Sequence, residues 1–106
     1  MYKECRNFIK ILKSINENIV DIQYDNLNYK DKSKEIIELL DKNIETLSNN
    51  PCVPYLETKK TNNFFLFHQT VLQNHKTQIV EDNISFIEAY SILSSISRLN
   101  HYISNI

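Results

Sequence analysis

An antiparallel up-down bundle of four helices is the fold that this 106-residue chain predicts. Apolar residues recur at steps of three and four along four separate stretches, which suits helix packing better than any sheet. Polar segments marked by asparagine and proline divide those stretches. The length leaves room for one core, since domains cluster at roughly 100–150 residues, so residues 1–106 are expected to form a single domain.

Cys5, Phe8, Leu12, Ile15, Ile19 and Ile22 fall on one face of a first helix, expected to run to about Val20. The segment from Tyr24 to Lys32 is polar and turn-prone, and Asp31 is placed to cap the next helix. That second helix, to about Ser48, carries Ile37, Leu40, Ile44 and Leu47 toward the core with Ile36 and Leu39 on its flanks. Glu35, Glu38, Asp41, Lys42 and Glu45 make its wet side.

Asn49 and Asn50 stand where glycine commonly ends a helix in the left-handed conformation, and Pro51 forbids continuation. Pro54 suits the first turn of a third helix, with Thr61-Asn62-Asn63 as a point of bending or interruption. Beyond it Phe64, His68, Val71, Leu72, His75 and Ile79 keep the helical period. Ser85 followed by Glu88 has capping-box spacing, with Asn83 as an alternative cap. The fourth helix then buries Ala89, Ile92, Leu93, Ile96, Leu99 and Ile103.

Composition narrows function. The chain is 42% hydrophobic and 24% charged, too apolar for a disordered segment. A net charge of −1 and a pI near 6.3 supply no basic field for nucleic acid or an anionic membrane, and no helix is a basic reading head. The absence of glycine excludes a phosphate-cradling glycine loop. No apolar run approaches the roughly 18 residues of a membrane span or succeeds the start as a secretory signal would. Cys5 and Cys52 form no framework of the secreted type, so reduced thiols in a cytoplasmic protein are expected.

No catalytic, cofactor or metal site is expected. His68 and His75, seven residues apart, stand roughly 10 Å from each other along a helix, too far to share one zinc ion. Each is expected to flank the core with a ring nitrogen hydrogen-bonded. Neither cysteine has an activating base nearby, and both read as small buried hydrophobes. The carboxylates alternate with lysines, as on a solvated face.

The surface chemistry differs between the two halves. From Asn62 onward the charged residues are Lys76, Glu81, Asp82, Glu88 and Arg98. Charge depletion with aromatics retained is typical of interface cores. Phe64-Phe65-Leu66-Phe67 spans about 300° of a helix and cannot face a single core, so Leu66 and Phe67 are expected to be partly exposed. Ile87, Tyr90, Ser94, Ser97 and His101 form a second, nearly uncharged strip on the last helix, which an ordinary serine-rich surface would also explain. The candidate partner-binding residues are Leu66, Phe67, Tyr90, Ser94, Arg98 and His101.

Leu93-Ser94-Ser95-Ile96-Ser97-Arg98 resembles the L-S-x-I-G-R of the last helix in the class IIa (pediocin-like) bacteriocin immunity proteins, of the enterocin A immunity type. Asn83 stands where that family has a serine or threonine cap, and Ser97 where it commonly has glycine. The order of elements is similar over most of the chain, and the sequence likeness is confined to the fourth helix. The resemblance implies a cytosolic four-helix bundle that protects the producer cell. It would lock a complex of bacteriocin and the membrane part of the mannose phosphotransferase permease, recognising it through its C-terminal half. A monomer or weak dimer in peripheral contact with a membrane protein is expected, with no nucleic acid. The alternative is a phage- or plasmid-encoded small helical inhibitor or adaptor.

Overall fold

The computed structural model describes residues 3–19, 22, 32–49, 59–80 and 84–105, except for the side chains of 4 and 59–63. Among these are four helices, α1 (Lys3–Ile15), α2 (Ser33–Ser48), α3 (Lys59–Thr77) and α4 (Phe86–Ser104). In α1 the predicted face is buried through Cys5, Phe8 and Leu12, and Ile9 joins it. The regular helix stops at Ile15, short of the expected Val20, which lies outside the described residues. Asn16 turns inward and is fully buried, and the backbone tightens there: the Ile19 amide bonds the Asn16 carbonyl at 3.2 Å, three residues back. Ile19 and Ile22 still reach the core.

Helix α2 begins at Ser33 with Lys32 at its N-cap and no side-chain cap bond, while the expected cap Asp31 lies outside the described residues. Its buried stripe keeps the predicted Ile37, Leu40 and Leu47, extends over the flanking Ile36 and Leu39, and takes in Asn43 in place of Ile44. Ile36 and Asn43 are fully buried with Leu40 and Leu47, and Ile44 is only partly covered. A polar residue takes the place of Ile44 because Asn16 supplies the hydrogen bonds that burial of Asn43 requires.

The end of α2 corrects the expectation at Asn49, while Asn50 and Pro51 lie outside the described residues. Asn49 sits at φ −100°, ψ 29°, on the right-handed side of the map. Its amide bonds the Thr46 carbonyl and its side-chain Nδ2 donates to the Glu45 carbonyl, each at 3.2 Å. Asn105 ends α4 the same way at φ −100°, with Nδ2 on the His101 carbonyl at 2.8 Å. In a chain without glycine, these side chains satisfy terminal carbonyls that a left-handed cap would otherwise take. No described residue has positive φ.

Helix α3 runs unbroken through Thr61-Asn62-Asn63; the proposed start at Pro54 is outside the described residues. It buries Phe65, His68 and Leu72, leaving Phe64, Val71 and His75 half-covered. Of the aromatic run, Phe65 enters the core, whereas Leu66 and Phe67 are 47% and 59% exposed, as their angular positions require. Helix α4 starts on the predicted capping box. The Glu88 amide donates to Ser85 Oγ at 3.2 Å, and that hydroxyl donates to Glu88 Oε1 at 3.0 Å. All six predicted core residues of α4 are buried. The alternative cap Asn83 is not among the described residues.

Cross-helix bonds give the topology. Asp41 pairs with Lys76 at 2.9 Å and Ser48 accepts from Gln69 at 3.1 Å, so α2 and α3 are antiparallel. Phe64 meets Tyr102 and His75 meets Ser95, so α3 and α4 are antiparallel as well. The Ile84 amide donates to Ser33 Oγ at 3.4 Å, joining the starts of the parallel helices α2 and α4. Leu12, Ile36, Leu40, Leu72, Ile96 and Leu99, from all four helices, belong to one core cluster and have no exposed surface. The fold is the all-α four-helix bundle that the periodicity predicts.

One chemical expectation fails. Cys5 is buried as predicted, but it is disulfide-bonded rather than a free thiol. The sequence has one other cysteine, Cys52, which is outside the described residues. Sequence spacing reveals local cysteine pairs, whereas a bond between distant segments depends on how the helices pack. No described helix is long and apolar enough to cross a membrane.

Candidate functional site

Between α3 and α4 the helix seam opens into a groove of about 760 Å³, within the range of small-ligand sites. The cause is a mismatch of side-chain size. Helix α3 contributes Phe64, Phe67 and His68, while α4 opposes them with Ser94 and Ser97, too small to fill the seam. Arg98, His101, Tyr102 and Asn105 complete the wall toward the end of α4.

A run of ring contacts connects the core to this groove. Phe8 of α1 meets Phe65 edge-on at 5.4 Å, and Phe65 meets Tyr102 at 5.7 Å. Tyr102 stacks on Phe64 at 3.7 Å, and Phe64 lies 4.4 Å from the His68 ring. Phe67 closes the other side of His68 at 5.5 Å. The half-buried Tyr102 ring is thus held from two directions, which gives the groove a fixed aromatic wall.

His68 is the unusual member. It is 2% exposed, yet neither ring nitrogen has a hydrogen-bond partner among the described residues. The expectation that both histidines would be satisfied therefore fails at His68. Leaving a buried donor or acceptor unpaired typically costs about 1–3 kcal/mol, so such groups are rare. Burial holds its basicity below the ordinary histidine value, and the nearby Arg98 guanidinium adds to that effect. His68 is accordingly a neutral imidazole at neutral pH, offering one N–H and one lone pair.

His75 conforms to the expectation. Its Nε2 lies 3.0 Å from Ser95 Oγ. The Ser95 hydroxyl also lies 3.0 Å from the Ser91 carbonyl, and when it donates there His75 donates to it from Nε2. Burial lowers its pKa too.

Among the described residues no carboxylate lines the groove, and Arg98, exposed at its edge, makes no ion pair. The described lining thus sets the Arg98 cation beside aromatic rings. Among the described residues no three metal-capable side chains converge.

Of the six residues singled out from sequence, Phe67, Ser94, Arg98 and His101 line the groove together. Leu66 lies on the neighbouring surface of α3, 47% exposed. Tyr90 stands one turn before Ser94, 61% exposed and stacked with Phe86 at 6.5 Å, outside the groove. Sequence reasoning missed the site roles of Phe64, His68 and Tyr102. The spacing of Phe64 to His68 and of Arg98 to Tyr102, four residues each, was a usable signal, because such pairs share a helix face.

Comparison of the chain with protein-family models, curated proteins and solved structures found no match.

Proposed function

We propose that the chain is a non-enzymatic binding protein that protects its cell against a pediocin-like bacteriocin. Acting from the cytosolic side, it engages the complex of bacteriocin and mannose permease through the face formed by α3 and α4. The supporting observation is how the fold divides the residues of the resemblance. Leu93 and Ile96 are buried in the core, while Ser94, Ser97 and Arg98 line the groove beside exposed Phe67 and His101. The apolar half of the motif builds the bundle and its polar half faces outward, an arrangement suited to recognition rather than to packing alone.

Phe67, Leu66, Tyr90, Ile87 and Phe86 are all large and exposed on these two helices, and a partner surface would cover apolar area of this kind. The disulfide at Cys5 is uncommon for a cytosolic protein. In this reading the cysteine is reduced in the cell and keeps its place as a small buried apolar group.

The test is expression in a bacteriocin-sensitive strain, with growth recorded against a panel of pediocin-like peptides. Protection against one or a few peptides is expected, with weaker protection from Arg98→Ala at equal expression. Full sensitivity to the whole panel despite soluble expression would replace this reading with that of a helical inhibitor or adaptor.

A further inference from the structure

We infer that the α3–α4 groove is a binding site for an organic monocarboxylate carried on a flat apolar body. Arg98 holds the carboxylate, and the rings of Phe64, Phe67 and Tyr102 receive the body. The groove is the one the protective reading uses, but the inference rests only on the walls of the groove and needs no bacteriocin.

Three observations specify the ligand. The charge is set by Arg98, a cation with no ion pair among the described residues, in a groove whose described lining residues include no carboxylate. A planar guanidinium matches a carboxylate through two parallel hydrogen bonds. The single charge and the position favour a monoanion. Arg98 and His101 lie in the last two turns of α4, at the negative end of the helix dipole, which opposes a phosphate dianion more strongly than a single negative charge.

The shape of the body is set by the aromatic wall, which rewards a ring or branched chain in a volume of about 760 Å³. The third observation is His68, buried beneath Phe64 and Phe67 with two unpartnered nitrogens. The carboxylate held by Arg98, a residue close enough to His68 to depress its basicity, is also the acceptor the imidazole N–H lacks among the described residues once the rings part. The same chemistry is offered by a free aromatic acid and by the C-terminal phenylalanine of a polypeptide.

The experiment is calorimetric titration of the full chain with 3-phenylpropanoate and with an acetylated tripeptide ending in phenylalanine, each beside its uncharged amide. Saturable binding of an acid is expected, weakened roughly tenfold or more by amidation, as loss of a charge-assisted bond implies. Arg98→Met should abolish the preference for acid over amide, and Ser94→Phe, which fills the seam but keeps Arg98, should abolish binding. The His68 ring resonances should shift on titration. Binding of the small acid alone identifies a free molecule as the ligand class, and tighter binding of the peptide identifies a chain end. No saturable binding of either acid, equal binding of acid and amide, or an undiminished preference in Arg98→Met would each overturn the inference. A failed growth assay leaves this result untouched, so the two readings fail separately.

Discussion

Asn16 and Asn43 face each other inside the bundle and exchange two side-chain hydrogen bonds, at 2.8 and 2.9 Å. Asn43 spends its remaining N–H on the Leu39 carbonyl at 2.8 Å. Both residues are fully buried, so their amides are satisfied by each other and by backbone rather than by water. The pair joins the residue just after α1 to the middle of α2 and permits one register between them, because a slip of either helix would strand both amides.

The energetic consequence is an asymmetry between single and double replacement. Asn16→Ala or Asn43→Ala should each cost about 1–3 kcal/mol, since each leaves a buried amide unpaired. Replacing both with leucine should cost much less than the two single losses together. Urea unfolding of the four proteins in a double-mutant cycle measures this, and additive losses would show that the two amides act independently.

His68 gives the stability a pH dependence of known sign. Its folded-state pKa lies below the ordinary 6.5. As pH falls through 6.5 the unfolded chain takes up the proton first, so stability is complete above 6.5 and declines toward the folded-state value, then levels off. His75, also lowered, acts in the same direction. His68→Leu should raise stability at pH 7 by about 1 kcal/mol or more, because two unpartnered nitrogens disappear, and should flatten part of the acid slope. Thermal unfolding from pH 7.5 to 5 reads both effects; an unchanged slope would show that His68 is neutralised in some other way.

At the start of α4, Ser85 both accepts the Glu88 amide and bonds its carboxylate. Ser85→Ala should destabilise the chain by about 1 kcal/mol, whereas Ser85→Asp should retain most of that stability. Chemical denaturation decides it, and equal stability of the alanine and aspartate variants would mean the cap contributes nothing to the fold.

Cys5 is bonded in a disulfide and almost entirely buried. A non-reducing peptide map of protein purified under oxidising conditions should recover Cys5 in a cross-linked fragment. Reduction should lower stability by about 2–4 kcal/mol, the usual contribution of such a bond. The reduced chain should keep its helical circular dichroism, since the residues that pack around Cys5 remain in place. Collapse of the helical signal on reduction would make the bond a condition of folding and would speak against a cytosolic site of action.

The sequence by itself determined the helices and the parts of the core that obey a simple period. In α4 every predicted core position is buried and the capping box forms as read, because both are properties of residues within one or two turns. The exposure of Leu66 and Phe67 was likewise readable, since four consecutive large residues cannot share one helix face.

Tertiary structure alone decided the rest. It brought Asn16 to Asn43, so that Asn43 rather than Ile44 joins the buried stripe of α2. It bonded Cys5, sealed His68 with no hydrogen-bond partner among the described residues, and set aromatic residues opposite serines so that a groove opened with Arg98 at its edge. Periodicity records how often a residue meets a face, and it carries no information about which residue of a neighbouring helix stands across from it. Polar burial, disulfide pairing and cavity formation all depend on that second residue, so they are settled only when the helices pack.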